Sequence, residues 1–389
     1  MKENGEPRSR LLLMKYDVLR AVKEQLAAEE EIILPAMLRL RREADKALTL
    51  KPLSVVYKKN IPPSGDKHDY ISLGRYWWPN PATPDGLPYI RRDGEVNPET
   101  EQQEKYDRKT LGLMVQAVAT LALAYFFFER EAYARKASTL LRTWFLDPET
   151  RMNPNLNYAQ LIPGRVTGRG TGLIDTRGFV LAIDAAQLLL GTDEWSLWEH
   201  RALQNWFKAY LDWLLNSKHG RDEAAAANNH GTMYDFQVAA YALFTGETAL
   251  ARQTIVASRE RRIAVQIEPD GRQPLELVRT KALDYSVMNL TGLLNLAQLG
   301  QAVGVNLCQY RTEDGRSIEV ALKWLIPYLL EPEKWPYQQI SAFEPKSAYY
   351  LLWIAAHAFH NQLYARYNQE LARKNNEEQL LSFLYPPIV

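Results

Sequence analysis

Four side chains carry the chain's most specific chemistry: the amide of Asn229, the imidazole of His230, the guanidinium of Arg279 and the phenol of Tyr285. The first two stand in Asn228-Asn229-His230-Gly231, between the alanine run Ala224 to Ala227 and a helical pattern from Thr232 to Phe244. Asn favours helix starts because its side chain satisfies orphan backbone donors. That accounts for one Asn, but not for two followed by His and Gly. The stretch reads either as a cap with an incidental His or as a site at a helix mouth, where chemistry is often placed. Arg279 and Tyr285 follow downstream, Tyr285 at the start of another helix.

Together the four suit β-elimination on a uronic acid polymer. That reaction removes the proton at C5, which is acidic only when the neighbouring carboxylate is neutralised, and expels the oxygen at C4. Asn229 can hydrogen-bond the carboxylate, and Arg279 can supply charge to it or lower the pKa of the phenol. A free tyrosine titrates near ~10, so a nearby cation is needed for it to act as a base at neutral pH. Donors aimed at developing charge commonly provide a large share of catalysis. Singly, Tyr285 reads as a core residue and Arg279 as a surface ion-pair partner; the combination argues for chemistry.

The elements that must position these residues are mostly helical. Residues 11–47 read as one long helix or two, with Leu19, Val22, Leu26, Ile32, Leu38 and Leu40 among charges. From Leu53 to Pro98, proline and glycine are too dense for long helices. This stretch contains Arg75-Tyr76-Trp77-Trp78, and its aromatic content argues for an ordered loop rather than a disordered one. Apolar spacing then predicts helices over much of the remainder. Leu111 to Tyr125 keep one apolar face, and Tyr133 to Phe145 and Gly178 to Leu190 follow. Trp198, Ala202, Leu203, Trp206, Tyr210 and Leu214 form a further stripe. Later candidates are 232–245, 248–264, 284–300, 317–330 and 342–371. Two stretches interrupt them: a glycine-rich one, Asn153 to Arg177, carrying Arg165, Arg169 and Arg177, and Ile263 to Leu277. The latter holds the turn signal Glu268-Pro269-Asp270-Gly271, with extended pieces expected on either side. Short connections between paired helices point to an all-α fold, an (α/α) toroid in one domain spanning 1–389.

Composition narrows the partners. The net charge of +1 gives no global basic field of the kind nucleic-acid binders carry. One cysteine, Cys308, excludes an internal disulfide and a cysteine-based metal cluster. The six His show no tight ligand spacing, and the elimination scheme requires neither metal nor cofactor. No apolar run is expected to reach the roughly 20 residues that span a bilayer, and Leu11 to Leu13 is too short for a signal-peptide core.

The motifs resemble a family. Asn228 to Gly231, Tyr234-Asp235, Pro269 to Gly271, Gln273-Pro274, Glu276, Arg279-Thr280 and Tyr285 are similar in order and spacing to the toroid-fold alginate lyase superfamily. The resemblance runs from roughly Ser54 to Leu299. Chain length and the Arg-to-Tyr spacing most resemble polysaccharide lyase family thirty-eight, whose members act on glucuronan or mannuronate-rich alginate. Family five has one more residue between the matching Arg and Tyr, and family seventeen adds a β-sandwich domain. The resemblance implies that Asn229 neutralises the carboxylate, that Tyr285 is the acid and also the base, and that Arg279 assists both. His230 is then an alternative base or a positioning group. Arg75, Tyr76, Trp77, Trp78, Arg165 and Gln273 are the expected substrate contacts, with the aromatic loop serving as lid or subsite wall, or else plugging the toroid's end. An acidic polysaccharide is the expected partner. Related lyases are usually exported, so a periplasmic or secreted location is expected although no signal is readable.

Two rivals stand beside this reading. A toroidal glycoside hydrolase needs two carboxylates flanking the bond, for which Asp235, Glu268, Asp270, Glu276 and Asp284 are candidates. A non-catalytic polysaccharide-binding protein would use the aromatic loop and tolerate loss of Tyr285.

Overall fold

The computed structural model describes residues 11–28 and 34–375. The described residues are predominantly helical, and their contacts group into two compact units. One comprises residues up to Ile90 and from Asn97 to Leu214; the other comprises Arg91–Val96 and residues from Leu215 onward.

The first unit opens with α1 (Tyr16–Ala27) and α2 (Leu34–Leu48), so the leading segment forms two helices rather than one. Ile32 lies outside the described residues. Leu19, Val22 and Leu40 are buried, whereas Leu38 faces outward with 62% exposure. Then come α3 (Arg108–Phe128), α4 (Glu131–Leu141), α5 (Phe179–Leu189) and α6 (Leu197–Asn216). From Thr110 to Phe128, α3 has no charged residue. Contrary to the sequence expectation, α3 is by length and composition apolar enough to cross a membrane. Its position explains the composition: it packs against α2, α4 and α5, and a helix covered on several sides is apolar all round.

Phe145, Phe179, Trp206, Phe207 and Tyr210 interlock with ring centroids 4.8–6.2 Å apart, most of them edge to face. Trp198, expected in the same stripe, lies in the first turn of α6 and is 75% exposed.

Between α2 and α3 the prolines and glycines leave short pieces: β1 (Ile71–Leu73), β2 (Trp77–Trp78) and β3 (Ile90–Arg91), with two 3-10 turns. β4 (Tyr158–Leu161) pairs in parallel with β1, Ile71 opposite Tyr158 and Leu73 opposite Leu161. This irregular region is held by buried polar groups. The Asp175 carboxylate accepts bonds from Ser72 Oγ (2.7 Å), Tyr70 OH (3.1 Å) and Gln160 Nε2 (3.2 Å).

The second unit contains α7 (Lys218–Ala224), α8 (Asn229–Thr245), α9 (Thr248–Ser258), the short α10 (Ala264–Gln266) and α11 (Pro274–Leu277), then α12 (Ala282–Gln301), α13 (Ile318–Leu330), α14 (Pro345–Ala358) and α15 (Gln362–Lys374). α8 packs against α7, α9 and α12, and α12 also packs against α13 and α14. The single helix expected over 342–371 is two. α14 ends at Ala358 with Phe359 as its C-cap, His360 takes a left-handed φ of 49°, and the Asn361 side chain caps α15. The turn at 268–271 is present, closed by Glu268 N–H to the Arg272 carbonyl at 2.8 Å. Ile267 just before it is extended, as expected, but the chain becomes helical in α10 before it and α11 after it. Gly271, at φ 93°, lies against the Val320 carbonyl and Trp324, where a side chain has neither the conformation nor the room.

Candidate active site

Asn228 and Asn229 divide the two roles that the sequence left open. Asn228 is the cap of α8: its backbone is extended and its side-chain oxygen accepts the His230 N–H at 3.3 Å. Asn229 and His230 then occupy the first turn. The preceding connection is tied down by Arg262, which donates to the carbonyls of Ala226 (2.7 Å) and Ala224 (2.8 Å) and to Asp235 Oδ2 (2.8 Å). Gly231 faces this guanidinium and the Ala226 carbonyl, leaving no space for a β-carbon.

Asn229 is fully buried. Its backbone N–H and its Nδ2 each donate to the Glu276 carboxylate at 2.7 Å, while its Oδ1 has no hydrogen-bond partner. An amide nitrogen carries two hydrogens, so a donor remains beyond the bond to Glu276. Burial pushes the Glu276 carboxyl above the usual range, against the opposing pull of the Asn229 bonds and the charges of Arg279 and His230. Glu276 thus joins the α8 start to the α11 segment that precedes Arg279.

His230 Nδ1 lies 2.6 Å from Glu223 Oε1; the His side chain is 20% exposed and the Glu 3%. Arg279 is held by Asp93, with Nε at 3.2 Å and Nη2 at 3.0 Å, and Thr280 Oγ1 donates to the same carboxylate at 3.2 Å. Its guanidinium carbon sits 4.0 Å from the centroid of the Tyr285 ring. Burial opposes the Arg279 charge, but the Asp93 bond and Tyr285 outweigh it and raise its pKa. Asp93 is partly desolvated, yet its bonds to Arg279 and Arg91 hold it down at about 2. Tyr285 lies in the first turn of α12 and is 8% exposed. His230 and Tyr285 therefore begin separate helices that pack together, as the sequence implies. Of the two roles expected for Arg279, the geometry serves the one toward the phenol, since its fork is occupied by Asp93.

Gln273 departs from its expected place among the substrate contacts. It is fully buried, its Nε2 donates to the Ser286 carbonyl at 3.2 Å, and its Oε1 accepts from Asn289 Nδ2 at 2.8 Å. It braces α12 just behind Tyr285. The sequence assigned no role to Glu223 or Asp93, and Glu276 entered only as part of the motif and as a candidate carboxylate of the rival hydrolase. Asp93 is 186 residues from Arg279, a separation over which one sequence carries no pairing signal. Acidic residues near the motif were visible, but their partners depend on how the turns fold.

In the first unit, Arg75, Tyr76, Trp77 and Trp78 are all half-buried. The Trp77 ring is flanked by the guanidiniums of exposed Arg165 at 5.3 Å and Arg169 at 5.9 Å. Arg165 also donates to the Tyr89 carbonyl and Arg169 to both oxygens of Gln160. Arg177 donates to the Ile174 carbonyl at 2.9 Å.

The carboxylates required by a hydrolase are engaged elsewhere. Asp235 is buried against Arg261 and Arg262, Glu276 holds Asn229, Asp270 pairs with Arg272, and Asp284 accepts from Gln339. Glu268 pairs loosely with Arg316 at 3.7 Å.

Comparisons with known proteins bear on the fold and the family. A solved alginate lyase from Bacteroides ovatus shares 41% identity over 97% of this chain and 99% of its own, with a TM-score of 0.91. Alginate lyase A1-III from Sphingomonas species A1 shares the fold at 16% identity, covering 91% of this chain and 89% of its own with a TM-score of 0.58. A variant of A1-III, 15% identical over 91% of this chain and 88% of its own with a TM-score of 0.59, was solved with a tetrasaccharide. No curated protein sequence matches the chain. These likenesses place the fold in the all-α, (α/α)-toroid class. The alginate lyase family model matches residues 54–335, a span containing Asn229, His230, Arg279 and Tyr285, and the chain belongs to the alginate lyase family.

Proposed function

We propose that this protein is a polysaccharide lyase that cleaves a 1,4-linked polyuronate, glucuronan or mannuronate-rich alginate, by β-elimination, as expected for polysaccharide lyase family thirty-eight. The observation that carries this reading is the Arg279 guanidinium laid 4.0 Å above the Tyr285 ring and fixed there by Asp93. A fixed cation on the ring face stabilises negative charge as it develops on the phenolic oxygen. Tyr285 takes the C5 proton and returns a proton to the departing C4 oxygen. In mannuronate and glucuronate these two groups lie on the same ring face, so one residue serves both steps. Asn229, with its second amide hydrogen, neutralises the carboxylate while Glu276 sets its orientation. Arg75, Tyr76, Trp77, Trp78 and Arg165 bind sugars of the polymer through ring faces and guanidiniums, and the proposed location is periplasmic or secreted, as is usual for related lyases.

Tyr285→Phe tests the assignment. The variant removes one oxygen from a packed ring, so it should retain its circular dichroism spectrum, thermal unfolding and polymer binding while losing elimination. Turnover within tenfold of the unsubstituted protein removes Tyr285 from the mechanism.

A further inference from the structure

His230 has a buried partner whose chemistry decides what the imidazole can do. Its Nδ1 lies 2.6 Å from Oε1 of Glu223, a carboxylate on α7 that is only 3% exposed. The position is fixed by more than this bond. Arg262 grips the carbonyls of Ala224 and Ala226 in the connection between α7 and α8, and Asn228 caps α8. The charged groups facing His230 are Glu223 from α7, Glu276 from α11, with Arg279 beside it, and Arg262 against Gly231.

An ionised carboxylate only accepts hydrogen bonds, so Nδ1 carries the hydrogen. A neutral imidazole has one hydrogen, which leaves the lone pair on Nε2 at the opposite edge of the ring. We infer that Glu223 is the positioning residue that fixes His230 in the Nδ1–H tautomer and makes Nε2 a proton acceptor in the site. The consequence concerns substrate range and rests on the elimination proposed above. Guluronate presents its C5 proton and C4 oxygen on opposite faces, so Tyr285 alone cannot serve both. Nε2 has the polarity to take the C5 proton there: the C5–H bond breaks, its electron pair forms the C4–C5 double bond, the C4–O bond breaks, and Tyr285 protonates the leaving oxygen. Glu223 thus extends the enzyme to both epimers.

The test combines a spectroscopic and a kinetic arm. Imidazole 15N shifts are recorded at neutral pH on protein labelled in its six His, with the His230 signals assigned from their loss in His230→Gln. The expected pattern is a protonated Nδ1 and an unprotonated Nε2. Glu223→Gln keeps the side-chain size, but its amide donates to Nδ1 and should invert the pattern. The ratio of polyguluronate to polymannuronate kcat should then fall about 100-fold, the lower range for losing a general base, with KM little changed. An Nε2–H or doubly protonated imidazole in the unsubstituted protein overturns the proposal, as does an unchanged pattern in Glu223→Gln. Cleavage of polymannuronate without cleavage of polyguluronate overturns the base role of Nε2. If the shifts are as expected but no polyuronate yields an unsaturated product, the lyase reading has failed and the Glu223 assignment stands.

Discussion

A guanidinium lies 4.0 Å from the ring centroid of Tyr285, nearer than those over Tyr133 (5.0 Å) and Tyr310 (5.6 Å). A guanidinium there is useful only if it stays, and Asp93 holds it with two bonds. This bond has a measurable pH signature. The folded Asp93 sits at about 2, below the ~3.9 of an unfolded carboxyl. A depressed carboxylate contributes stability above its unfolded pKa and loses it as pH falls through the folded value, so the loss runs from about pH 4 to about pH 2. After screening of this partly exposed pair it amounts to about 1 kcal/mol. Asp93→Asn should flatten unfolding free energy across that window, and at neutral pH it should lower kcat by loosening Arg279. A variant with the same acid sensitivity as the unsubstituted protein contradicts this. At this scale the four candidate groups stand out in the sequence because their types and order are unusual together. Glu223, Glu276 and Asp93 do not, since an acidic residue gains its meaning from the partner that folding brings to it. Gln273 misled for a related reason: a polar residue in a motif can serve packing within the helices, as its bonds to Ser286 and Asn289 do, rather than contact with substrate.

Asn229, His230 and Tyr285 stand in the first turns of α8 and α12, so what fixes those turns matters as much as the side chains on them. The α8 start depends on one buried ion pair. Arg262 is 2% exposed and Asp235 fully buried, and the guanidinium also satisfies two carbonyls of the alanine run. Removing one partner of a buried pair costs about 3–5 kcal/mol when the remaining charge is left uncompensated; the more exposed Arg261 still pairs with Asp235 here, which puts the loss at the low end. Arg262→Ala should therefore lose about that much in chemical denaturation, and kcat should drop in the folded fraction as Asn229 and His230 shift. A loss below 1 kcal/mol argues that the connection is held by other means. Helix positions from Leu111 onward were readable from apolar spacing. The α14–α15 break was not, because it is made by one left-handed residue, His360, whose type does not announce it. The exposure of Leu38 and Trp198 shows the converse error, where spacing suggests a buried stripe but the side chains face outward. α3 misled in the other direction, its uncharged length reflecting burial among three helices.

For the whole molecule, the fold class followed from helical periodicity and the motif order, and the family match confirms it over most of the chain. Mannuronate and glucuronate differ only at C2, away from the atoms that react in the proposed elimination, so a preference between their polymers would depend on the shape of the binding surface rather than on the four proposed catalytic groups. The binding and hydrolase readings differ from elimination in their products, which makes one experiment decisive. Purified protein is incubated separately with glucuronan, polymannuronate and polyguluronate, and ultraviolet absorbance of the unsaturated uronate is followed alongside new reducing ends. The account predicts that absorbance and reducing ends rise together on glucuronan or polymannuronate; reducing ends without absorbance, or neither on any of the three, contradict it.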